Sequence, residues 1–145
     1  LYQRGKEVMV TLTTTCAILL VLSGIAKAVK DTLSHHYSAS FLSKAKYDQG
    51  FWNPQFSWMN KYKEPSHYPI VKKPKFFGST TFLAWTTDAW HLFDTIQTTC
   101  VQSAGILPVM YFANLPWWWF LVLISAAKLV TSIPFEVCYS KLFLR

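Results

Sequence analysis

The chain begins with a long apolar run that predicts a membrane-spanning helix. Val8 to Ala26 form nineteen consecutive residues without a charge. At 1.5 Å per residue such a helix spans about 28 Å, which is close to the hydrocarbon thickness of a bilayer. The helix is expected to continue as an amphipathic extension past Lys27 and Lys30, so the prediction covers about residues 8–36.

A second uncharged stretch covers the 33 positions from Thr95 to Ala127 and is too long for one span. Two pairs of helix-breaking residues interrupt it, Gly105 with Pro108 and Asn114 with Pro116. The pattern therefore predicts a second helix over about 80–104 and a third over about 116–141. The resulting fold class is an all-α membrane protein with three transmembrane helices, built as a single membrane domain over residues 1–145.

The segment between the first two predicted helices is basic, aromatic and rich in proline. Nine of the fourteen basic residues fall between Lys27 and Lys75, against three acidic residues. Four prolines exclude a long helix there, while the aromatic content is too high for a disordered linker. We expect a mostly irregular loop over about 38–77 that lies on the cytoplasmic lipid surface. The excess of positive charge places this loop and the C-terminus inside and the N-terminus outside. Arg4 and Lys6 oppose this orientation, so a chain with two spans and a second helix that lies flat on the membrane is the alternative.

Composition supports a membrane lipid environment. Aromatic residues make up 17% of the chain and charged residues 14%, well below the roughly 25% charged residues of soluble domains. Tryptophan and lysine are typical of the lipid interface. The expected interface residues are Trp52, Trp58, Lys72, Lys73, Lys75, Trp117, Trp118 and Trp119. The net charge of +7 is concentrated next to the predicted spans, so no nucleic acid partner is predicted.

The stretch DAWHLFDTIQ, residues 88–97, places polar groups at helical spacing among apolar neighbours. On a helix, Asp88, His91 and Asp94 fall on one face, and buried carboxylates there need a polar partner. Lys128 of the third predicted helix lies at a matching depth. We therefore predict a structural ion pair between Asp88 and Lys128, made directly or through water.

The same polar residues also permit a catalytic or metal-binding interpretation. Asp31 and His36 end the first predicted helix, and Asp88 and His91 lie on the second. An Asp and a His from each of two helices could hold a divalent metal, the one cofactor that the sequence suggests, or act as a catalytic group. A third interpretation makes His91 a proton carrier.

Other motifs with chemical meaning are absent from the sequence. The three cysteines are far apart, without CxxC spacing, and are interpreted as small buried hydrophobic residues. The sequence contains no nucleophile elbow, phosphate-binding glycine loop or zinc-protease helix. Because the chain begins with Leu1, we expect that residues precede it.

Three tracts together resemble a known group of proteins. They are AKAVKDTLSHHY, then FWNPQFSWMNKYK with GSTTFLAWTTDAWHLFDTI, and finally IPFEVCYSKLF. Their order is similar to that of uncharacterised small polytopic membrane proteins of Bacteroidota-type bacteria and some of their phages. The resemblance covers most of residues 25–142 and implies a helical protein with several spans. By the pattern of the group, the recurring positions are Asp31, His36, Trp52, Asn53, Trp58, Asn60, Asp88 and His91. Lys30 and His35 differ from that pattern.

Three functional hypotheses follow from these observations. The first is a small structural or accessory subunit of a larger membrane complex, in a cell envelope or a lipid-containing virion, whose partners are lipid and other subunits or further copies of itself. The second is a membrane-embedded enzyme that uses the Asp/His site, with or without a metal, on a lipid-like substrate. The third is a proton or ion path along the second helix, which would require an oligomer.

Overall fold

The computed structural model describes residues 2–44, 48–64 and 73–137, and this part of the chain is helical without strands. The all-α fold class is thus confirmed there, whereas the three membrane spans stay a prediction. The α-helices are α1 (Tyr2–Asp31), α2 (Phe41–Lys44), α3 (Gln49–Trp52), α4 (Ala89–Phe112) and α5 (Trp119–Val137). Shorter turns are the π-helical Thr32–His36 and the 3₁₀ turns Tyr37–Ala39, Ser57–Lys61 and Ala84–Thr86.

The first helix has the length and composition of a membrane span. Within the described residues it is the one helix that meets both criteria, over Gly5–Ala39, and its most apolar window has a mean hydropathy of 2.2. Only 6% of that window is buried. Its threonine hydroxyls donate to carbonyls one turn earlier, as Thr11 does to Glu7 at 2.9 Å. These bonds pair the hydroxyl groups within the helix itself.

The predicted start of the second helix at about residue 80 is wrong. Residues before Thr87 form turns, in which Gly78 adopts a left-handed backbone with φ of 82°. The α4 helix begins at Ala89, directly after Asp88, whose carboxylate accepts a hydrogen bond from the backbone N–H of His91. That bond makes Asp88 the N-cap of the helix rather than a residue in its middle.

The predicted end of this helix near residue 104 is also wrong, because α4 continues through Pro108 to Phe112. A proline inside a helix deprives the carbonyl four residues earlier of its donor. That carbonyl belongs to Ala104, and the thiol of Cys16 donates to it at 3.5 Å. The helix ends where Asn114 turns left-handed with φ of 50°, and Leu115 N–H closes the end on Met110 O at 3.0 Å.

The other predicted helix limits also differ from the structure. The first helix was expected over about 8–36, whereas α1 starts at Tyr2 and its α-helical part ends at Asp31, followed by the π-helical turn. The third was expected over about 116–141, whereas α5 is described over Trp119–Val137. Residues 138–141 of that prediction lie outside the described residues.

The chain divides into two compact units, Leu1–Leu20 with Thr99–Arg145, and Val21–Thr98. In the first unit, Cys16 contacts Ala104 and the amide of Gln102 donates to Thr131 Oγ1 at 3.5 Å. These contacts connect α1 to α4 and α4 to α5. The interpretation of residues 1–145 as a single membrane domain stays a prediction.

The second unit, Val21–Thr98, has a small core of Leu33, Leu42 and Ala89. Half-buried apolar side chains pack around it, namely Val29, Tyr37, Phe51, Trp52, Trp90 and Phe93. The amide of Asn60 donates to Gly50 O and, at 3.2 Å, to Thr87 O. This side chain therefore holds the loop against the start of α4.

The predicted loop over 38–77 contains short helices and one backbone bridge in its described parts. Tyr62 and Pro74 form an antiparallel bridge, extended by Lys63 N–H donating to Lys73 O and Lys75 N–H donating to Lys61 O, both at 2.9 Å. Residues 45–47 and 65–72, including the predicted interface residue Lys72, lie outside the described residues.

Candidate functional site

The carboxylate of Asp88 is buried and has a donor for each of its oxygens. The residue as a whole is only 1% exposed. One oxygen accepts from the backbone N–H of His91 at 2.9 Å. The other lies 2.7 Å from Nδ1 of His91 and 3.2 Å from the hydroxyl of Thr87. A buried carboxylate is stable when it has donors of this kind.

These hydrogen bonds fix the charge of Asp88. Burial raises the pKa of its carboxyl, but the side-chain and backbone hydrogen bonds from His91 and the hydroxyl of Thr87 together lower it further, so the pKa lies below its ordinary value. Asp88 is therefore ionised at neutral pH and can only accept hydrogen bonds. Because the carboxylate can only accept, Nδ1 of His91 carries the proton in this contact, and Nε2 is the ring atom left for a further hydrogen bond.

This pair lies in the wall of an open pocket of about 460 Å³. Three segments of the second unit line the pocket. They are the π-helical turn after α1, residues 54–58 at the start of the 3₁₀ turn Ser57–Lys61, and residues 88–91 at the start of α4. The lining residues are Leu33, Ser34, Pro54, Gln55, Ser57, Trp58, Asp88, Trp90 and His91. A cleft with aromatic walls and a few converging polar groups is the usual form of a small-ligand site.

The π-helical turn supplies one wall of the pocket. Within Thr32–His36 the helix is wider than in α1, and Leu33 is buried while Ser34 is exposed at the pocket. Ser34 Oγ accepts from the indole N–H of Trp90 at 2.9 Å. Short π-helical turns occur frequently at functional sites, and here the turn joins the end of α1 to the start of α4.

Two lysines lie against the aromatic residues of the pocket. Lys30 Nζ lies 5.6 Å from the ring centroid of Trp90 and pairs with Asp94 Oδ1 at 2.9 Å. Lys61 Nζ lies 6.0 Å from the ring centroid of Trp58. Each indole therefore already has an ammonium group over its ring.

The structure brings together only two of the four candidate catalytic or metal residues. Asp88 and His91 are in contact, whereas Asp31 pairs with Lys27 and the ring of His36 contacts His35. Within residues 2–44, 48–64 and 73–137, no group of three or more His, Cys, Asp or Glu is arranged to hold a metal ion.

The other predicted site residues are distributed over both compact units. Asp88 and Lys128 belong to different units, so their ion pair stays a prediction, and the hydrogen bonds that Asp88 makes with Thr87 and His91 lie within its own unit. Trp52 is half-buried against the core and its ring centroid lies 5.9 Å from that of Phe93, while Trp58 lines the pocket. Lys73 and Lys75 are exposed next to the Tyr62–Pro74 bridge. Trp117 and Trp118 are exposed, and the ring of Trp118 stacks on the half-buried Trp119.

Sequence reasoning missed several residues of the site. Trp90 lies between Asp88 and His91, and its position next to two polar residues was a usable signal. The Lys30–Asp94 pair was also missed, because the matching-depth argument considered only Asp88 and Lys128 as partners. Ser34 and Gln55 reach the pocket through a π-helical turn and a turn after Pro54, which no pattern in the sequence indicates.

Comparison with protein-family models, with curated proteins and with solved structures finds no match to this chain. The resemblance to small membrane proteins of Bacteroidota-type bacteria and their phages therefore stays an expectation that rests on the quoted sequence tracts.

Proposed function

We propose that the chain is an integral membrane protein and acts as a small structural or accessory subunit of a larger membrane complex, in a cell envelope or a lipid-containing virion. The observation that carries the proposal is the exposed apolar surface of α1. Val10, Ile18 and Val21 are 66%, 55% and 62% exposed, on a helix of 30 residues. Continuous apolar surface of this kind is stable only against lipid or another protein.

The later helices support the same proposal. Phe112 at the end of α4 is 71% exposed, and Leu129 and Val130 in α5 are 61% and 70% exposed. We propose that α1, α4 and α5 cross the bilayer, with the loop and the C-terminus in the cytoplasm and the N-terminus outside. Helices that lack a large core of their own are well suited to pack against neighbouring subunits or further copies of the chain.

An arginine substitution in the middle of α1 tests whether this helix is inserted in the membrane. An arginine at the centre of a spanning helix costs about 2.5–3.5 kcal/mol on insertion scales, so Ile18→Arg is expected to lower the fraction of chain that resists alkaline extraction of membranes. Ser38→Arg, at an exposed position after the end of α1 at Asp31, is the matched control and should leave that fraction unchanged. A parent chain that is released by alkaline extraction would contradict the proposal.

The subunit role is tested by native mass spectrometry of the protein released from its own membrane in mild detergent. The expected species is larger than a single chain. A monomer alone, from membranes in which α1 is inserted, would contradict the subunit role while leaving the membrane placement intact.

A second candidate function, a membrane-embedded enzyme with an Asp/His site, is favoured by one specific observation. The buried Asp88 carboxylate accepts from Nδ1 and so orients the His91 ring in the wall of a pocket, with Nε2 left for a further contact. A carboxylate–imidazole pair of this type is a common device for accepting a proton from a bound group.

The Asp88–His91 pair can be tested with diethyl pyrocarbonate, which acylates histidine at a ring nitrogen that carries no proton. The acylation rate of His91 therefore reports on the influence of Asp88 on its ring. Asp88→Asn is expected to change the acylation rate of His91 several-fold, with His35 and His36 as internal controls, and an unchanged rate would contradict this function.

A further inference from the structure

We propose that the pocket at His91 binds an uncharged ring that carries hydroxyl groups, such as a sugar or polyol, with one hydroxyl hydrogen-bonded to Nε2 of His91. The proposal rests on the second candidate function, the Asp88–His91 site, and names the class of its ligand. The shared chemistry is the polyhydroxyl ring, whether it arrives as a free molecule or as the headgroup of a lipid.

The hydrogen-bonding character of the site comes from the Asp88–His91 pair. Since the carboxylate accepts the hydrogen bond from Nδ1, Nε2 is the ring nitrogen left for a ligand hydroxyl, which can donate or accept. Among the described residues, Nε2 makes no hydrogen bond of its own. The His91 side chain is 30% exposed and lines the pocket, so a ligand in the pocket can reach its ring. A ligand without a hydrogen-bonding group would leave Nε2 desolvated and unpaired.

The shape and polarity of the walls fit a ring with both apolar and polar surfaces. Trp58 and Trp90 both line the pocket, and their indole N–H groups are bonded internally, to Gln55 O at 3.2 Å and to Ser34 Oγ at 2.9 Å. These residues therefore offer ring surface rather than N–H donors. The C–H faces of a sugar pack on indole rings, and the hydroxyl of Ser34 and the amide of Gln55 provide further polar contacts at the rim.

The charges around the pocket favour a neutral ligand. Lys30 Nζ and Lys61 Nζ lie 5.6 Å and 6.0 Å from the ring centroids of Trp90 and Trp58, so a cation in the pocket would be repelled by two nearby ammonium groups. An anion next to His91 would approach the buried, ionised carboxylate of Asp88 at short range. An uncharged hydroxyl group avoids both repulsions.

The experiment measures protection of His91 from diethyl pyrocarbonate in the full chain, reconstituted in phosphatidylcholine nanodiscs that contain no sugar. The neutral probes are glucose and, below its micelle-forming concentration, octyl glucoside. The charged controls are octyltrimethylammonium and octyl sulfate, which carry the same alkyl chain. Peptide mass spectrometry then gives the acylation rate of each histidine separately.

The expected result is a several-fold slower acylation of His91 with a neutral probe, no protection of His35 or His36, and loss of protection in Trp58→Ala. Protection by octyl glucoside alone identifies a lipid headgroup as the source, and protection by glucose as well identifies a free ligand. No protection by either neutral probe, or equal protection by a charged control, overturns the proposal. An effect of Asp88→Asn on His91 without probe would in that case preserve the Asp88–His91 site, so the two failures are distinguishable.

Discussion

Asp88 has two functions that depend on the same buried carboxylate. It caps the first turn of α4 through the backbone N–H of His91, and it holds the His91 ring by Nδ1. A helix N-terminus favours a negative charge, because the free N–H groups there carry partial positive charge. A residue placed at this point is therefore both stabilised by the fold and able to orient an imidazole.

The two functions of Asp88 are separable by substitution. Asn caps helices nearly as well as Asp, whereas Ala cannot cap. Asp88→Ala should therefore lower the free energy of unfolding by about 1–3 kcal/mol, since it also leaves buried donors unpaired. The free energy of unfolding of Asp88→Asn should lie between that of the parent and that of Asp88→Ala. Denaturant unfolding in detergent measures both, and Asp31→Asn, at a side chain that is 47% exposed, serves as a control with little expected effect. Equal losses for the Asn and Ala variants would show that capping contributes nothing.

Acid should weaken the contribution of Asp88 to stability. Because its pKa is lower in the folded chain than in the unfolded chain, the folded chain binds fewer protons between the two values. The contribution is fully present above the unfolded pKa and is lost as the pH falls through the folded pKa. The stability difference between parent and Asp88→Asn should therefore be constant between about pH 5.5 and 4.5 and shrink below about pH 4. If the stability difference grows as the pH falls, the pKa of Asp88 is raised on folding and not lowered.

Spacing along the sequence predicted one relation at the residue scale and missed another. Residues three apart meet on a helical turn, so Asp88 and His91 were identified as a pair. The sequence did not show that the same spacing also fits an N-cap with its third helical residue. Long-range pairs such as Lys30 with Asp94 depend on which helix faces meet, and spacing within a single helix does not determine this.

At the scale of helices, α4 shows how a local break signal is overcome by a contact from elsewhere. Pro108 removes the donor for Ala104 O, and the thiol of Cys16 on α1 supplies a replacement. The sequence predicted a helix end near Pro108 because the partner lies 88 positions away. In contrast, the break predicted at Asn114 and Pro116 is where α4 does end. Asn114 adopts a left-handed backbone after the last turn, a conformation that commonly terminates a helix.

The contribution of the Cys16–Ala104 hydrogen bond to the stability of α4 can be tested by substitution. Cys16→Ala removes the donor and leaves the carbonyl of Ala104 unpaired, so the free energy of unfolding should fall by about 1 kcal/mol or more. Cys16→Ser keeps a hydroxyl donor of similar size and should retain most of the stability. Thermal unfolding of the two variants in one detergent gives the comparison. If the Ser variant is the less stable of the two, burial of the thiol as an apolar group, and not its hydrogen bond, is what matters at this position.

At the scale of the whole molecule, the sequence predicted the all-α class because length and apolar composition are properties of continuous segments. The α1 helix is long, apolar and exposed, with 6% of its most apolar window buried. The pocket was not predictable in this way, since it requires the end of α1, the loop and the start of α4 to come together. Its geometry depends on turns whose conformation is set by packing rather than by composition.

Orientation in the membrane is a property of the whole molecule that the distribution of charge predicts. Lys27 to Lys75 contain nine of the fourteen basic residues, and basic loops are retained on the cytoplasmic side. With Cys16 replaced by Ser and the other two cysteines by Ala, single cysteines at Gln55 and Ala113 report on opposite ends of α4. Both positions are exposed, and a 24-residue helix separates its ends by about 36 Å.

An impermeant maleimide added to intact cells should label Ala113→Cys and leave Gln55→Cys unlabelled, and inverted vesicles should give the opposite pattern. Ile18→Cys, at the centre of α1, should stay unlabelled from both sides because the reagent does not enter lipid. Labelling of both end positions from one side would mean that α4 lies along the membrane instead of crossing it. The pocket at His91 would then face the same compartment as the turn at Asn114, and its ligand would have to be sought there.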